Sequence, residues 1–177
     1  MTGQVLRIFI TPNAGGKIQE VFRVRAIEQL GLEGDRYTGE RGKSGRQVIR
    51  QVSLIEQEVV DRVNRTNGTN FLSEDSRRNI VTLGLSLNNL VGEEFMVWGV
   101  RMRGVELCDP CNLPSKLCGK PGFKNFFSGF GGLRAEILTS GLIYIGANIS
   151  TDIYSCLICG TTTSFPHVCP EFYPELR

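Results

Sequence analysis

The sequence contains only one histidine, His167, in 177 residues. We therefore expect neither a Ser/His/Asp triad nor a metal site built from several histidines elsewhere in the chain. The net charge of +2 is too small to indicate a nucleic-acid or membrane partner. No apolar run approaches the roughly 20 residues that span a bilayer. A catalytic mechanism based on histidine is therefore not expected elsewhere in the chain.

The N-terminal segment Met1-Thr-Gly-Gln lacks the basic and apolar regions of a signal peptide, which predicts a cytoplasmic protein. In a reducing compartment, the six cysteines are more often free, catalytic or metal-bound than paired in disulfides. An extracellular disulfide protein is the alternative.

The 21 glycines favour tight turns and short strands, and the length favours one domain. A helix should begin at Ser53 as N-cap, with Glu56 closing a capping box, and end at Asn67-Gly68. Ser140-Gly141 predicts a hairpin between the last two strands. Without strict βαβα alternation, the pattern predicts a mainly β fold, a closed antiparallel or mixed β-barrel with α insertions. The predicted strands are Val5–Ile10, Gln19–Ile27, Val48–Leu54, Ile80–Leu83, Glu94–Trp98, Val100–Leu107, Leu133–Thr139 and Leu142–Ile145.

Two closely spaced thiols, Cys108 and Cys111, end a predicted strand, and Cys118 follows. A thiol acts as nucleophile or metal ligand in its thiolate form, which neighbouring cations or a helix N-terminus stabilise. Three chemistries fit the pair: a nucleophile or persulfide carrier, a redox pair, or a metal site. Two small buried residues without chemistry are equally compatible with the spacing.

Arginines beside glycines or polar turns form a second pattern. Arg77-Arg78-Asn79 precedes a strand, Gly131-Gly132-Leu-Arg134 opens another, and Gly34-Asp35-Arg36 lies in a loop. Glycines let backbone N–H groups approach an anion, and guanidinium forks suit phosphate. The pattern favours an anionic ligand, although surface ion pairs are the commoner use of arginine.

The C-terminal tail holds Cys156, Cys159, His167 and Cys169. Together they offer the four sulfur and nitrogen ligands of a tetrahedral zinc site. The alternative is an irregular tail with incidental cysteines.

The ordered set of motifs from about residue 4 to residue 149 resembles the MOSC domain, the C-terminal domain of molybdenum-cofactor sulfurases, in its small stand-alone bacterial form. We therefore divide the chain into a MOSC domain, residues 1–149, and an atypical cysteine-containing tail, residues 150–177. The motifs are Gly31-Leu-Glu-Gly-Asp-Arg-Tyr37, Val52-Ser-Leu-Ile-Glu56, Ser76-Arg-Arg-Asn-Ile80, Leu90-Val-Gly92, Val105-Glu-Leu-Cys-Asp-Pro-Cys111 and Gly131-Gly-Leu-Arg-Ala135.

The resemblance implies a β-barrel and a molybdopterin-type ligand, with Cys111 carrying sulfur or ligating molybdenum. Cys108 would be an auxiliary catalytic thiol. It also implies an enzyme, either sulfurtransferase-like or a molybdenum-dependent oxidoreductase. Pyridoxal phosphate enters only by family association with a separate desulfurase domain, so a separate cysteine desulfurase or a reductase protein would be the partner. The ligand's anionic part would be held by Arg77, Arg78, Asn79 and Arg134, with Gly132, Asp35 and Arg36 contributing.

Two other functions stay open at this point. One is a thiol redox protein that uses Cys108 and Cys111. The other is a non-catalytic zinc-binding or interaction module that uses the tail.

Overall fold

The computed structural model describes residues 2–39, 50–155 and 162–163. Over these residues the protein is built mainly from short strands, as the sequence predicts. The strands are β1 (Thr2–Ile10), β2 (Gln19–Glu20), β3 (Arg23–Ile27), β4 (Gly31–Leu32), β5 (Val52–Glu56), β6 (Ile80–Leu83), β7 (Glu94–Val97), β8 (Val100–Leu107), β9 (Leu133–Ile137), β10 (Gly141–Tyr144), β11 (Asn148–Ser150), β12 (Tyr154–Ser155) and β13 (Thr162–Thr163).

Helices are few and short among the described residues. Only α1 has more than two turns, and no helix in these parts of the chain is long and apolar enough to cross a membrane. The α-helices are α1 (Gln57–Asn67), α2 (Leu113–Cys118) and α3 (Phe123–Phe126), and the 3-10 helices are Ser73–Ser76 and Leu87–Leu90.

Seven strands form a closed barrel in the order β1, β6, β5, β9, β8, β7, β11. The barrel closes because β11 pairs with β1, with Thr2 opposite Ser150. Only β5 and β6 are parallel, and α1 connects them as a crossover. The predicted mixed β-barrel is therefore confirmed. Strands β3, β4 and β10 form a separate sheet whose inner side chains, such as Ala26 and Ile143, join the barrel core.

A second apolar cluster lies outside the barrel wall, beneath α1. The rings of Phe123 and Phe127 stack with centroids 4.2 Å apart, and both meet Phe71 edge-on. Phe126 and Phe130 are exposed. The helical spacing of the four phenylalanines therefore marks core packing for two of them.

The predicted helix start is wrong, whereas the predicted end is confirmed. Ser53 lies inside β5, where its hydroxyl donates to Oδ1 of Asn79 at 2.8 Å. The helix begins only at Gln57, with Glu56 as N-cap, because residues 52–56 pair with β6 and β9. Gly68 ends the helix in a left-handed conformation, with φ of 61°.

The predicted hairpin at Ser140-Gly141 is also wrong. Strand β9 already lies between β5 and β8 and has no free edge. Strand β10 therefore pairs with β3, with Gly141 opposite Ala26. The predicted single strand Gln19–Ile27 is likewise divided into β2, which extends β1, and β3, which belongs to the smaller sheet.

Candidate functional site

A pocket of about 270 Å³ lies beside β5. The strand register places Ile80, the first residue of β6, and Leu133, the first residue of β9, opposite Leu54 of β5, and Cys108 directly follows β8. The loop after β4 contributes Arg36 and Tyr37 to the lining. The lining residues are Arg36, Tyr37, Arg50, Gln51, Val52, Ser53, Arg77, Arg78, Asn79, Cys108 and Arg134.

Among residues 2–39, 50–155 and 162–163, the lining contains five arginines and no aspartate or glutamate. Neutral carbonyl groups hold two of these arginines: Nε of Arg78 donates to the oxygen of Gly131 at 2.8 Å, and Arg77 donates to that of Gly16 at 3.0 Å. Burial lowers the pKa of Arg78, and the charge of Arg134 lowers it further, while the two thiols oppose the shift. Burial likewise lowers the pKa of Arg77, with Arg36 as the next cause. Arg77 and Arg78 are held by neutral carbonyl groups while burial lowers their pKa, which favours an anion in the pocket.

Glu106 lies beside the pocket and pairs with two of its arginines. Its carboxylate is 2.8 Å from Arg50 and 3.7 Å from Arg134. Burial acts to lower the pKa of Arg134, but its hydrogen bond to Cys108 and the charges of Cys108 and Glu106 raise that pKa overall. Arg134 therefore keeps its positive charge next to a thiol.

The two thiols of the motif occupy different surroundings. Cys108 is 1 % exposed, lines the arginine pocket, and its backbone N–H donates to Gly132 at 2.7 Å. Cys111 is exposed and lines a neighbouring surface depression with Lys124. Cys111 does not line the arginine pocket, although it is among the groups that act to raise the pKa of Arg78. The roles of both thiols stay predictions.

The sequence pattern of the MOSC domain family matches residues 41–150, which is more than half of the chain. The chain belongs to the MOSC domain family. No curated protein matches it.

Solved structures support the same fold at low sequence identity. The YuaD protein from Bacillus subtilis is similar with a TM-score of 0.73 and 18 % identity, over 84 % of this chain and 94 % of that one. YiiM from Escherichia coli has a TM-score of 0.63 and 18 % identity, over 99 % and 84 % of the two chains. YiiM from Geobacillus stearothermophilus has a TM-score of 0.61 and 16 % identity, over 83 % and 73 %.

Two predicted ligand residues of this MOSC domain, Asp35 and Asn79, form hydrogen bonds that hold the segments around the pocket together. Asp35 is buried and does not line the pocket; its carboxylate accepts from the backbone of Thr11 at 2.9 Å and of Tyr37 at 3.1 Å. Asn79 lines the pocket, but its side-chain amide joins Ser53 to Asp35. These polar atoms are engaged in tying the strands together.

Gly132 is required by the packing of the MOSC barrel, and its contribution to ligand binding stays a prediction. Its φ is +100°, and a Cβ there would overlap the carbonyl oxygen of Leu54. Gly131 is similarly close to the carbonyl oxygen of Cys108. The glycine pair lets β9 begin between two strands and brings Arg134 to the pocket.

Sequence reasoning missed five lining residues: Tyr37, Arg50, Gln51, Val52 and Ser53. Tyr37 directly follows Asp35-Arg36, so its place in that motif was an available signal. Nothing in the sequence distinguishes Arg50 from other arginines, because its position depends on β5 lying next to β9. Gln51 accepts from the backbone of Ile137 at 2.7 Å and so also fastens these strands.

The predicted zinc ligands lie outside the described residues. These are Cys156, Cys159, His167 and Cys169. Within residues 2–39, 50–155 and 162–163, no group of three or more potential histidine, cysteine or carboxylate ligands could hold a metal ion.

Proposed function

We propose that this MOSC domain binds a molybdopterin-type ligand and acts in sulfur transfer or in molybdenum-dependent reduction in the cytoplasm. The observation that carries the proposal is the convergence of five guanidinium groups and one buried thiol on a single pocket, in the part of the chain that the structure describes. The MOSC family is associated with molybdenum cofactor, which gives this anion pocket its candidate ligand.

The pocket residues fit the phosphate of such a ligand. A phosphate monoester carries about −1.5 to −2 charges at neutral pH and offers three acceptor oxygens. Arg77 and Arg78 have depressed pKa values, caused first by burial, and would gain from a bound anion. Arg134 remains charged beside them. We assign the phosphate to these three guanidiniums, with Arg36 and Arg50 at the sides.

The thiols would interact with the molybdenum-bearing part of the ligand, away from its phosphate. The cofactor supplies a molybdenum centre that accepts a thiolate ligand, and Cys111 is the exposed thiol next to the pocket. In sulfur transfer, the Cys111 thiolate would attack the terminal sulfur of a donor persulfide and release the donor's thiolate. Cys108, beside Arg134, is the auxiliary thiol. The sulfur donor would be a separate cysteine desulfurase, which would carry the pyridoxal phosphate; a reductase is the corresponding partner for electron transfer.

A loading experiment separates the two ends of this assignment. Purified protein would be incubated with freshly released molybdenum cofactor, and pterin, molybdenum and cyanide-releasable sulfur would be measured per chain. Arg78→Gln and Arg134→Gln should each lower pterin retention by about tenfold or more, because each removes a charge-assisted contact worth about 1.5–3 kcal/mol. Cys111→Ser should lower molybdenum and labile sulfur while pterin phosphate binding persists.

Arg65→Gln is the matched control, since Arg65 is exposed in the last turn of α1, away from the pocket lining. Unchanged pterin retention in both pocket variants would refute the arginine assignment. A Cys111→Ser protein that keeps both molybdenum and labile sulfur would refute the thiol assignment. A reversible Cys108–Cys111 disulfide, with no pterin bound, would instead favour the thiol redox function.

A further inference from the structure

Tyr37 is a large aromatic side chain held at the arginine pocket with much of its surface open. It lines the pocket and is 43 % exposed. The guanidinium of Arg36 lies over the ring, 4.2 Å from its centroid, and donates to the Tyr37 hydroxyl at 3.1 Å. Arg36 covers one face, so the remaining ring surface is accessible to a ligand.

Hydrogen bonds of Asp35 and of the neighbouring backbone hold the loop that carries Tyr37. Asp35, which is 7 % exposed, accepts from the Tyr37 backbone at 3.1 Å and from the Thr11 backbone at 2.9 Å. The backbone N–H of Arg36 donates to Thr11, and that of Thr38 donates to Asp35. Because these bonds already hold the backbone of the loop, the loop loses little conformational freedom when a ligand binds.

Tyr37 lines the same pocket as Arg77, Arg78 and Arg134, which we assign to the phosphate. A ligand whose phosphate reaches these arginines would pass beside the Tyr37 ring. An aromatic ring with a guanidinium on one face is a stacking platform for a planar heterocycle.

We infer that Tyr37 is the specificity-determining residue of the pocket, and that it selects phosphorylated planar heterocycles by stacking on their ring. The inference rests on the proposed phosphate pocket and goes beyond it by naming the feature that distinguishes the ligand from other phosphates. The arginines recognise the phosphate of any ligand, whereas Tyr37 recognises only a ligand with a flat ring.

Two probes that differ by a ring test this inference. Ribose 5-phosphate and guanosine 5′-monophosphate share a sugar phosphate, and only the second has a planar base. In calorimetric titrations, the wild-type protein should bind the nucleotide about five- to tenfold more tightly, since base–aromatic stacking has an energy of this order. Tyr37→Ala should reduce this ratio to about one.

Tyr37→Phe is the matched control, because it keeps the ring and removes only the hydroxyl bonded to Arg36. This variant should retain the ratio. Equal affinities of wild type for the two probes, or a Tyr37→Ala protein with the wild-type ratio, would overturn the inference while the phosphate pocket stands. Failure of the wild-type protein to bind either probe would overturn the proposed phosphate pocket, and the inference with it. Arg78→Gln should lower the affinity for both probes by the same factor, which separates recognition of the phosphate from recognition of the ring.

Discussion

At the scale of single residues, the pocket depends on a glycine, Gly132, as well as on its arginines. Gly132 brings β9 against β5 so closely that a Cβ would overlap the carbonyl oxygen of Leu54. Its φ of +100° is also a conformation that residues with side chains rarely adopt. The position of Arg134, two residues later, follows from this close approach.

We expect Gly132→Ala to destabilise the protein by about 3 kcal/mol or more, because backbone strain and steric overlap add. Gly129→Ala is the control: Gly129 also has a positive φ, of +76°, but nothing lies within 4 Å of its added Cβ. Gly129→Ala should lower the free energy of unfolding by only about 1–2 kcal/mol. Urea unfolding of both variants measures the difference. Equal losses would show that the overlap at Gly132 is relieved by a small backbone shift.

At the scale of elements, the junction between β5 and α1 explains why the helix begins late. Glu56 ends the strand and is also the N-cap of the helix, without a side-chain capping bond. Its carboxylate instead accepts from the backbone of Leu87 at 2.6 Å, which ties the 3-10 helix Leu87–Leu90 to the end of β5. A half-buried carboxylate thus links three elements.

The ionisation of Glu56 gives this junction a pH dependence. Burial raises the pKa of Glu56, and Glu58 adds to the rise, while Leu87 and Arg62 oppose it. A carboxyl group with a raised folded-state pKa contributes stability below its unfolded pKa of about 4.3, and this contribution is lost as pH rises through the folded-state pKa. Glu56→Gln keeps an acceptor for Leu87 and removes the titration.

We therefore expect Glu56→Gln to be more stable than wild type at neutral pH, with the advantage shrinking as pH falls toward 4. Denaturant unfolding at a series of pH values measures the difference in the free energy of unfolding. A difference that stays constant over this range, or that grows as pH falls, would contradict the raised pKa.

At the scale of the whole molecule, the barrel is closed by residues far apart in sequence. Strand β11 pairs with both β1 and β7, and Ile149 is fully buried between them. Removing β11 would leave two strand edges unpaired and expose the core. Stability of the barrel therefore depends on the chain continuing to Ser150.

We expect a chain of residues 1–152 to melt within about 3 °C of the full chain, which corresponds to about 1 kcal/mol for a protein of this size. A chain of residues 1–144, without β11, should show no cooperative transition by circular dichroism. A large loss of stability in the 1–152 chain would mean that the tail contributes to the barrel. Stoichiometric zinc in the full chain that disappears in the 1–152 chain would support the predicted tail site.

Local patterns predicted most of the barrel strands but not their partners. Alternating and apolar runs located β6, β7 and β8 to within a residue or two. The Ser140-Gly141 hairpin failed because turn propensity cannot show that both edges of β9 are already occupied. The capping box at Ser53 failed for the same reason, since pairing with β6 and β9 overrides the local helix signal.

For the candidate site, residue types and glycine turns pointed to Arg77, Arg78 and Arg134, and their role as ligands stays a prediction. These arginines line one pocket because the register places the first residues of β6 and β9 opposite Leu54 of β5. Sequence could not indicate that Cys108, rather than Cys111, lines this pocket. The two thiols lie three residues apart, and only the path of the chain after β8 decides which one faces inward.

The sequence by itself determined the MOSC family, the mainly β content and the supply of cations and thiols, since these depend on residue type and local order. Only the tertiary structure decided that Arg50 and Tyr37 join the pocket, that Asp35 and Asn79 hold its walls, and that Cys111 lies outside it. The physical reason is that pocket membership is set by pairing between distant strands. That pairing depends on which edges remain free and on where backbones approach too closely for any residue but glycine.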